Sequence, residues 1–230
     1  MLFRDRTDAG RRLAARLTSF RSRDPVVLAL PRGGVPVGLE IARALDAPLD
    51  VVLVRKIGVP FQPELALGAI VDGDPPELVI DTHLKTMLDI PDAYVDEERQ
   101  RQLVEIGRRR HVYLAGRPAA AVAGRTVIVV DDGIATGSTV RAALRAIRRR
   151  RPAHLVLAVP VAPPETIAAL RDEVDEIVCL ETPALFGAIG QFYADFRQLE
   201  DAEVIAALQA RANETAPAEG TPPRSRAPAP

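Results

Sequence analysis

The chain has 230 residues, 47% of them hydrophobic, which suffices for one α/β domain with a small appendage. With 30 Lys and Arg against 31 Asp and Glu, the net charge of −1 directs the chain toward neither a nucleic acid nor a membrane surface. The single cysteine, Cys179, excludes an internal disulfide and a multi-cysteine zinc site, no apolar run approaches the ~20 residues of a membrane span, and early charges at Arg4, Asp5, Arg6 and Asp8 stand where a signal peptide needs an apolar stretch, so a cytoplasmic protein without a membrane partner is expected.

Short aliphatic runs alternate with helical patterns along the chain. Residues 26–30, 50–54, 67–71, 126–130, 155–159 and 177–180 read as strands. Several are apolar at consecutive positions, as parallel strands covered on both faces are. Cys179 lies in the last of these runs and is expected to be a buried structural thiol. Val37, Ile41 and Leu45 form an apolar helical stripe behind Pro36, a residue suited to a first turn. Val140, Leu144 and Ile147 form a second stripe, and Ile167, Leu170 and Val174 a third. The repeated strand-helix-strand order implies right-handed crossovers and a doubly wound, mostly parallel α/β sheet with helices on both faces.

Two regions break this rhythm. Residues 72–118 hold a Pro- and Asp-rich stretch followed by a long polar helix over 92–114, whose thin apolar face predicts a flexible lid projecting over a cleft. Residues 1–211 form the predicted domain, and 212–230, without periodicity from 213 onward, a disordered tail. The basic run at 148–151 reads as the solvated C-terminus of a helix, where cations suit the dipole.

The informative segment is Thr126 to Val130 followed by Asp131, Asp132, Gly133, Ile134, Ala135, Thr136, Gly137, Ser138 and Thr139. A buried strand ends in two acids, a Gly/Thr/Ser loop and an amphipathic helix. Doubly wound sheets bind ligands beyond the carboxyl ends of their strands, and a helix start offers unpaired N–H groups to a phosphate. The loop has no lysine, which excludes a Walker A nucleotide site. Asp131 and Asp132 would repel a phosphate placed on them, but they suit a neighbouring polyol and can help hold Mg²⁺. A phosphate beside a diol is a sugar phosphate.

At these residues the chain resembles the donor-binding signature of type I phosphoribosyltransferases. The resemblance implies that the acidic pair holds the ribose 2′- and 3′-hydroxyls and that residues 133–139 hold the 5′-phosphate of phosphoribosyl pyrophosphate. Leu30, Pro31, Arg32, Gly33 and Gly34 resemble the family's pyrophosphate loop, often built around a cis non-proline peptide. Arg55 and Lys56 resemble a basic pair that contacts pyrophosphate. The implied catalytic set is Arg32, Arg55, Lys56, Asp131 and Asp132, with Mg²⁺ at the two acids and pyrophosphate displaced by a nucleobase or related nitrogen acceptor. Enzymes acting on 6-oxopurines carry an aspartate where this chain has Ala135, so proton transfer falls to Glu64, His83 or a carboxylate of 92–114. A hood over 183–200, with Phe186, Phe192, Tyr193 and Phe196, is expected to stack the base, and a homodimer is expected. The competing reading is a donor-sensing regulator of the same fold; the balanced charge argues against the nucleic-acid partner it would need.

Overall fold

The computed structural model describes residues 3–73 and 75–215, the side chains of Pro63 and Glu64 excepted. The expected tail beyond 215 lies outside the described residues. Its main sheet joins five parallel strands, β1 (Pro25–Ala29), β2 (Leu49–Val51), β6 (Thr126–Val130), β7 (His154–Val161) and β8 (Glu176–Glu181), in the order β2-β1-β6-β7-β8. Every residue of β1 and β6 is buried, which accounts for their unbroken apolar sequence.

Helices cover both faces. On one, α1 (Arg6–Leu17), α2 (Gly34–Leu45), part of α4 (Asp92–Leu114) and α7 (Asp201–Thr215) enclose a core that includes Leu13, Leu17, Ile41, Leu45, Ile128 and Leu208. On the other, α5 (Ser138–Arg149) and α6 (Pro164–Leu170) enclose Val127, Val129, Leu144, Ile147, Leu157 and Leu170. β1 feeds α2 and then β2 on one side, whereas β6 feeds α5 and then β7 on the other. The winding therefore reverses between β1 and β6, the crevice where open α/β sheets take their ligands. Cys179 forms part of this packing, and burial pushes its thiol up to about 11, in agreement with a structural thiol.

Four expectations need correction. The run 50–54 is not one strand: β2 stops at Val51, and β3 (Val54–Val59) leaves the main sheet to pair antiparallel with β4 (Gln62–Val71). The strand expected at 67–71 therefore belongs to a second sheet, completed by β5 (Glu77–Ile80), in the order β3-β4-β5. Its continuous apolar pattern arises because its two faces are covered by different helices, α4 and α5. The polar helix over 92–114 has the expected bounds, but it packs rather than projects. After the short α3 (Thr82–Met87), α4 buries Val95, Ile106, Tyr113 and Leu114, and Arg110 reaches the buried Asp72. Finally, residues 212–215 are the last of α7 rather than tail.

The last helix is fixed by a buried cation. Arg211 donates from Nε to the Ala47 carbonyl at 2.9 Å and from Nη2 to Asp46 Oδ1 at 2.9 Å, closing α7 onto the turn between α2 and β2. Arg211→Met is expected to lower unfolding stability by about 2 kcal/mol, because charge-assisted bonds are lost and the Ala47 carbonyl is left buried. Urea denaturation followed by far-UV circular dichroism measures it.

Candidate functional site

Two loops meet at the reversal between β1 and β6. The loop after β1 carries a cis peptide between Pro31 and Arg32 and enters α2 at Gly34. Its backbone lies hard against the loop after β6. A Cβ on Gly33 would stand 2.0 Å from Asp132 Oδ2, and one on Gly34 would stand 2.6 Å from the Val130 carbonyl oxygen. Only glycine permits this approach. The β6 loop is pinned from its other side. The Ile134 amide donates to the Val161 carbonyl at 2.9 Å, and Thr166 Oγ1 donates to the Ala135 carbonyl at 2.7 Å. Gly137, at φ 76°, turns the chain into α5 without a side-chain cap. Thr136, Ser138 and Thr139 remain exposed around amides that the helix itself does not use. The loop thus keeps the anion-binding form that its sequence implies.

The acidic pair is enclosed. Asp132 receives Arg6 Nε at 2.7 Å, both side chains being nearly buried, while its backbone carbonyl accepts the Tyr193 hydroxyl at 2.6 Å. Burial raises the Asp132 carboxyl above the ordinary carboxylate range, with Arg6 opposing the shift. Asp131, whose Oδ1 accepts the Asp132 amide at 2.9 Å, is raised well above that range, first by burial and then by the charge of Asp132. Nothing in the sequence marks Arg6 as a site residue. Asp5 does cap α1, accepting the Asp8 amide at 2.7 Å, but no local signal connects residue 6 to residue 132.

The three cations expected around one pyrophosphate are not brought together. Arg55 and Lys56 are neighbours in β3, so the pleat sends them to opposite faces. Arg55 Nε donates to Gln102 Oε1 of α4 at 2.9 Å. Lys56 instead lines a cavity of about 520 Å³ between the second sheet and α5, together with Ser138, Thr139 and His83 over a floor that includes Leu67 and Val79. Arg32 lies elsewhere, 3.7 Å from the Asp201 carboxylate, in a cavity of about 350 Å³ shared with Arg6, Gly33, Phe196 and Arg197.

Of the proton-transfer candidates, His83 lines the larger cavity, and the Glu64 side chain lies outside the described residues. Three carboxylates of α4 face basic partners: Asp92 pairs with Lys85, Glu98 with Arg101, and Glu105 with Arg108 and Arg109. The hood aromatics largely pack on the N-terminus: Phe3 bridges to Tyr193, Tyr193 meets Phe196 at 4.9 Å, and Phe186 stacks on Phe192 at 5.4 Å. For a metal, no cluster of three His, Cys, Asp or Glu groups occurs among the described residues. Asp131 and Asp132 offer the one or two carboxylates that Mg²⁺ takes when phosphate oxygens complete its shell.

Comparison with known proteins shows the family. Residues 5–197 match the model of the phosphoribosyl transferase domain. Proteins of two Mycobacterium tuberculosis strains, CDC 1551 and H37Rv, that carry provisional phosphoribosyl transferase names are each 49% identical over 207 residues, covering 90% of this chain and 46% of theirs. The chain thus spans about half the length of these curated relatives. The crystal structure of TT1426 from Thermus thermophilus superposes with a TM-score of 0.80 at 44% identity, covering 91% of this chain and 99% of that one.

Gly34→Ala is expected to cost about 1–3 kcal/mol, since backbone rather than a movable side chain occupies the space, and to shift the urea midpoint with an unchanged slope. Asp131→Asn keeps the acceptor for the Asp132 amide and removes a carboxyl whose raised pKa makes ionisation unfavourable in the fold. A raised folded-state pKa gives stability at low pH that is lost as pH rises through it. The melting temperature of Asp131→Asn should therefore exceed that of the parent by about 2–4 °C at pH 8, with the gap closing toward pH 5 in scanning calorimetry.

Proposed function

The chain belongs to the phosphoribosyl transferase domain family, and from that premise we propose that it transfers phosphoribose from phosphoribosyl pyrophosphate to a nucleobase or related nitrogen acceptor, releasing pyrophosphate. One observation carries the reading: the glycine loop after β1 is pressed against the acidic pair that ends β6, at the reversal of the sheet.

The parts divide the donor between them. Amides and hydroxyls of residues 136–139 seat the 5′-phosphate, with Lys56 facing the same cavity as Ser138 and Thr139. Asp131 and Asp132 take the vicinal hydroxyls. The Arg32–Gly33 turn, with the Arg32 guanidinium, faces the pyrophosphate. In the reaction the C1–O bond to pyrophosphate breaks with its electron pair leaving on oxygen. The acceptor nitrogen forms the new C1–N bond and gives up its proton. Positive charge grows on the sugar as in other glycosyl transfers, so fixed carboxylates near the ring and cations at the leaving group lower the barrier without a protein nucleophile. Asp131 and Asp132 would hold Mg²⁺, which would supply charge neutralisation for the leaving group. His83 is the described candidate for taking the acceptor's proton.

Screening bases and amines for Mg²⁺-dependent pyrophosphate release tests the activity. Asp132→Asn is expected to abolish release. Lys56→Ala is expected to weaken donor binding by about tenfold and Arg55→Ala by less, because the pleat turns Arg55 onto α4. Donor binding without release by any acceptor would reduce the protein to a donor sensor, and absence of donor binding would refute the site.

A further inference from the structure

The cation that comes closest to the acidic pair originates in the first helix, far from either loop in sequence. Arg6 is held on three sides: Nε on Asp132 Oδ2 at 2.7 Å, Nη1 on the Arg197 carbonyl at 3.0 Å, and its guanidinium carbon 3.9 Å from the centre of the Phe196 ring. Its side chain is only 11% exposed. What remains accessible lines the cavity of about 350 Å³ that also holds Arg32 and Gly33, at the turn with the cis peptide. A guanidinium carries five N–H donors, and the contacts to Asp132 and Arg197 take two of them. Such a group is preorganised, so binding an anion orders no further side-chain rotamers.

We infer that Arg6 is a ligand-binding residue of this site, presenting its remaining N–H edge, beside Arg32 and Gly33, to the pyrophosphate of the donor. It supplies the cation that Arg55, turned onto α4, does not. Planar, bidentate donation suits phosphate oxygens better than an ammonium does. Asp132 then has two tasks, accepting from the sugar and orienting Arg6, which links the two halves of the donor through one carboxylate. α1 thereby becomes part of the site, fastened by hydrogen bonds from the Phe3 amide to the Phe192 carbonyl and from the Ala194 amide to the Phe3 carbonyl, both at 2.8 Å.

This inference rests on the proposed function, and the test separates the two. Calorimetric titration of the full chain with three probes in Mg²⁺ is the measurement: phosphoribosyl pyrophosphate, inorganic pyrophosphate, and ribose 5-phosphate, which has the diol and phosphate but no pyrophosphate. Arg6→Met, which keeps an apolar stack on Phe196, is expected to weaken the first two by about tenfold or more and ribose 5-phosphate by less than about threefold, with Arg6→Lys recovering part of the loss. Should Arg6→Met melt below the assay temperature, Arg6→Gln, which keeps a donor for Asp132, carries the same comparison. Equal weakening of all three probes would make Arg6 a mere support for Asp132 and overturn the inference, as would unchanged pyrophosphate binding. If the parent chain binds none of the three, the proposed function falls, and this inference with it.

Discussion

The structure depends on the close approach of two backbone turns at the point where the sheet reverses its winding. Gly33 and Gly34 stand where any side chain would collide with Asp132 or with the carbonyl of Val130. That contact places the start of α2 directly against the end of β6. The acidic pair is thereby held between the turn after β1 and the turn after β6. The remaining features of the site either hold this arrangement in place or extend it.

The acidic pair would be unfavourable in such an enclosure without local compensation. Arg6 meets Asp132, Tyr193 satisfies the Asp132 carbonyl, and the Asp132 amide satisfies Asp131. Even so, burial leaves both carboxyls with raised pKa values. A purely structural core would replace these acids with apolar residues, since a half-compensated buried charge contributes little to stability. The same hood and N-terminal residues that supply the compensation also consume the aromatics that the sequence offers for stacking a base.

The second sheet contributes differently. It is an antiparallel hairpin and one further strand set between α4 and α5, tied back to the domain by Arg110, which pairs with the buried Asp72 and lies 3.8 Å from Asp50. Because α5 begins at the loop after β6, the α5-facing side of β3 lines a cavity with Ser138 and Thr139. Lys56 is on that side, and Arg55, one position away, is not. A one-residue step along a strand thus decides whether a cation faces the cavity beside α5 or packs on α4.

Much of the fold was legible locally. Four of the six expected strand runs fall in the main sheet within a residue or two of their expected bounds, because parallel strands covered on both faces are apolar throughout. The strand-loop-helix unit of the candidate site was legible because strand end, acidic pair, glycine turn and helix start are contiguous from residue 126 to residue 139. Even a cis peptide, between Pro31 and Arg32, followed from resemblance. What the sequence could not decide was partnership across distance. The division of residues 50–59 between two sheets, the docking of α4, the part played by α1 and the splitting of Arg55 from Lys56 all depend on which surfaces meet after folding. Local pattern records how much of a residue is buried; only the assembled chain determines against what, and it is that choice which brings Arg6 to Asp132.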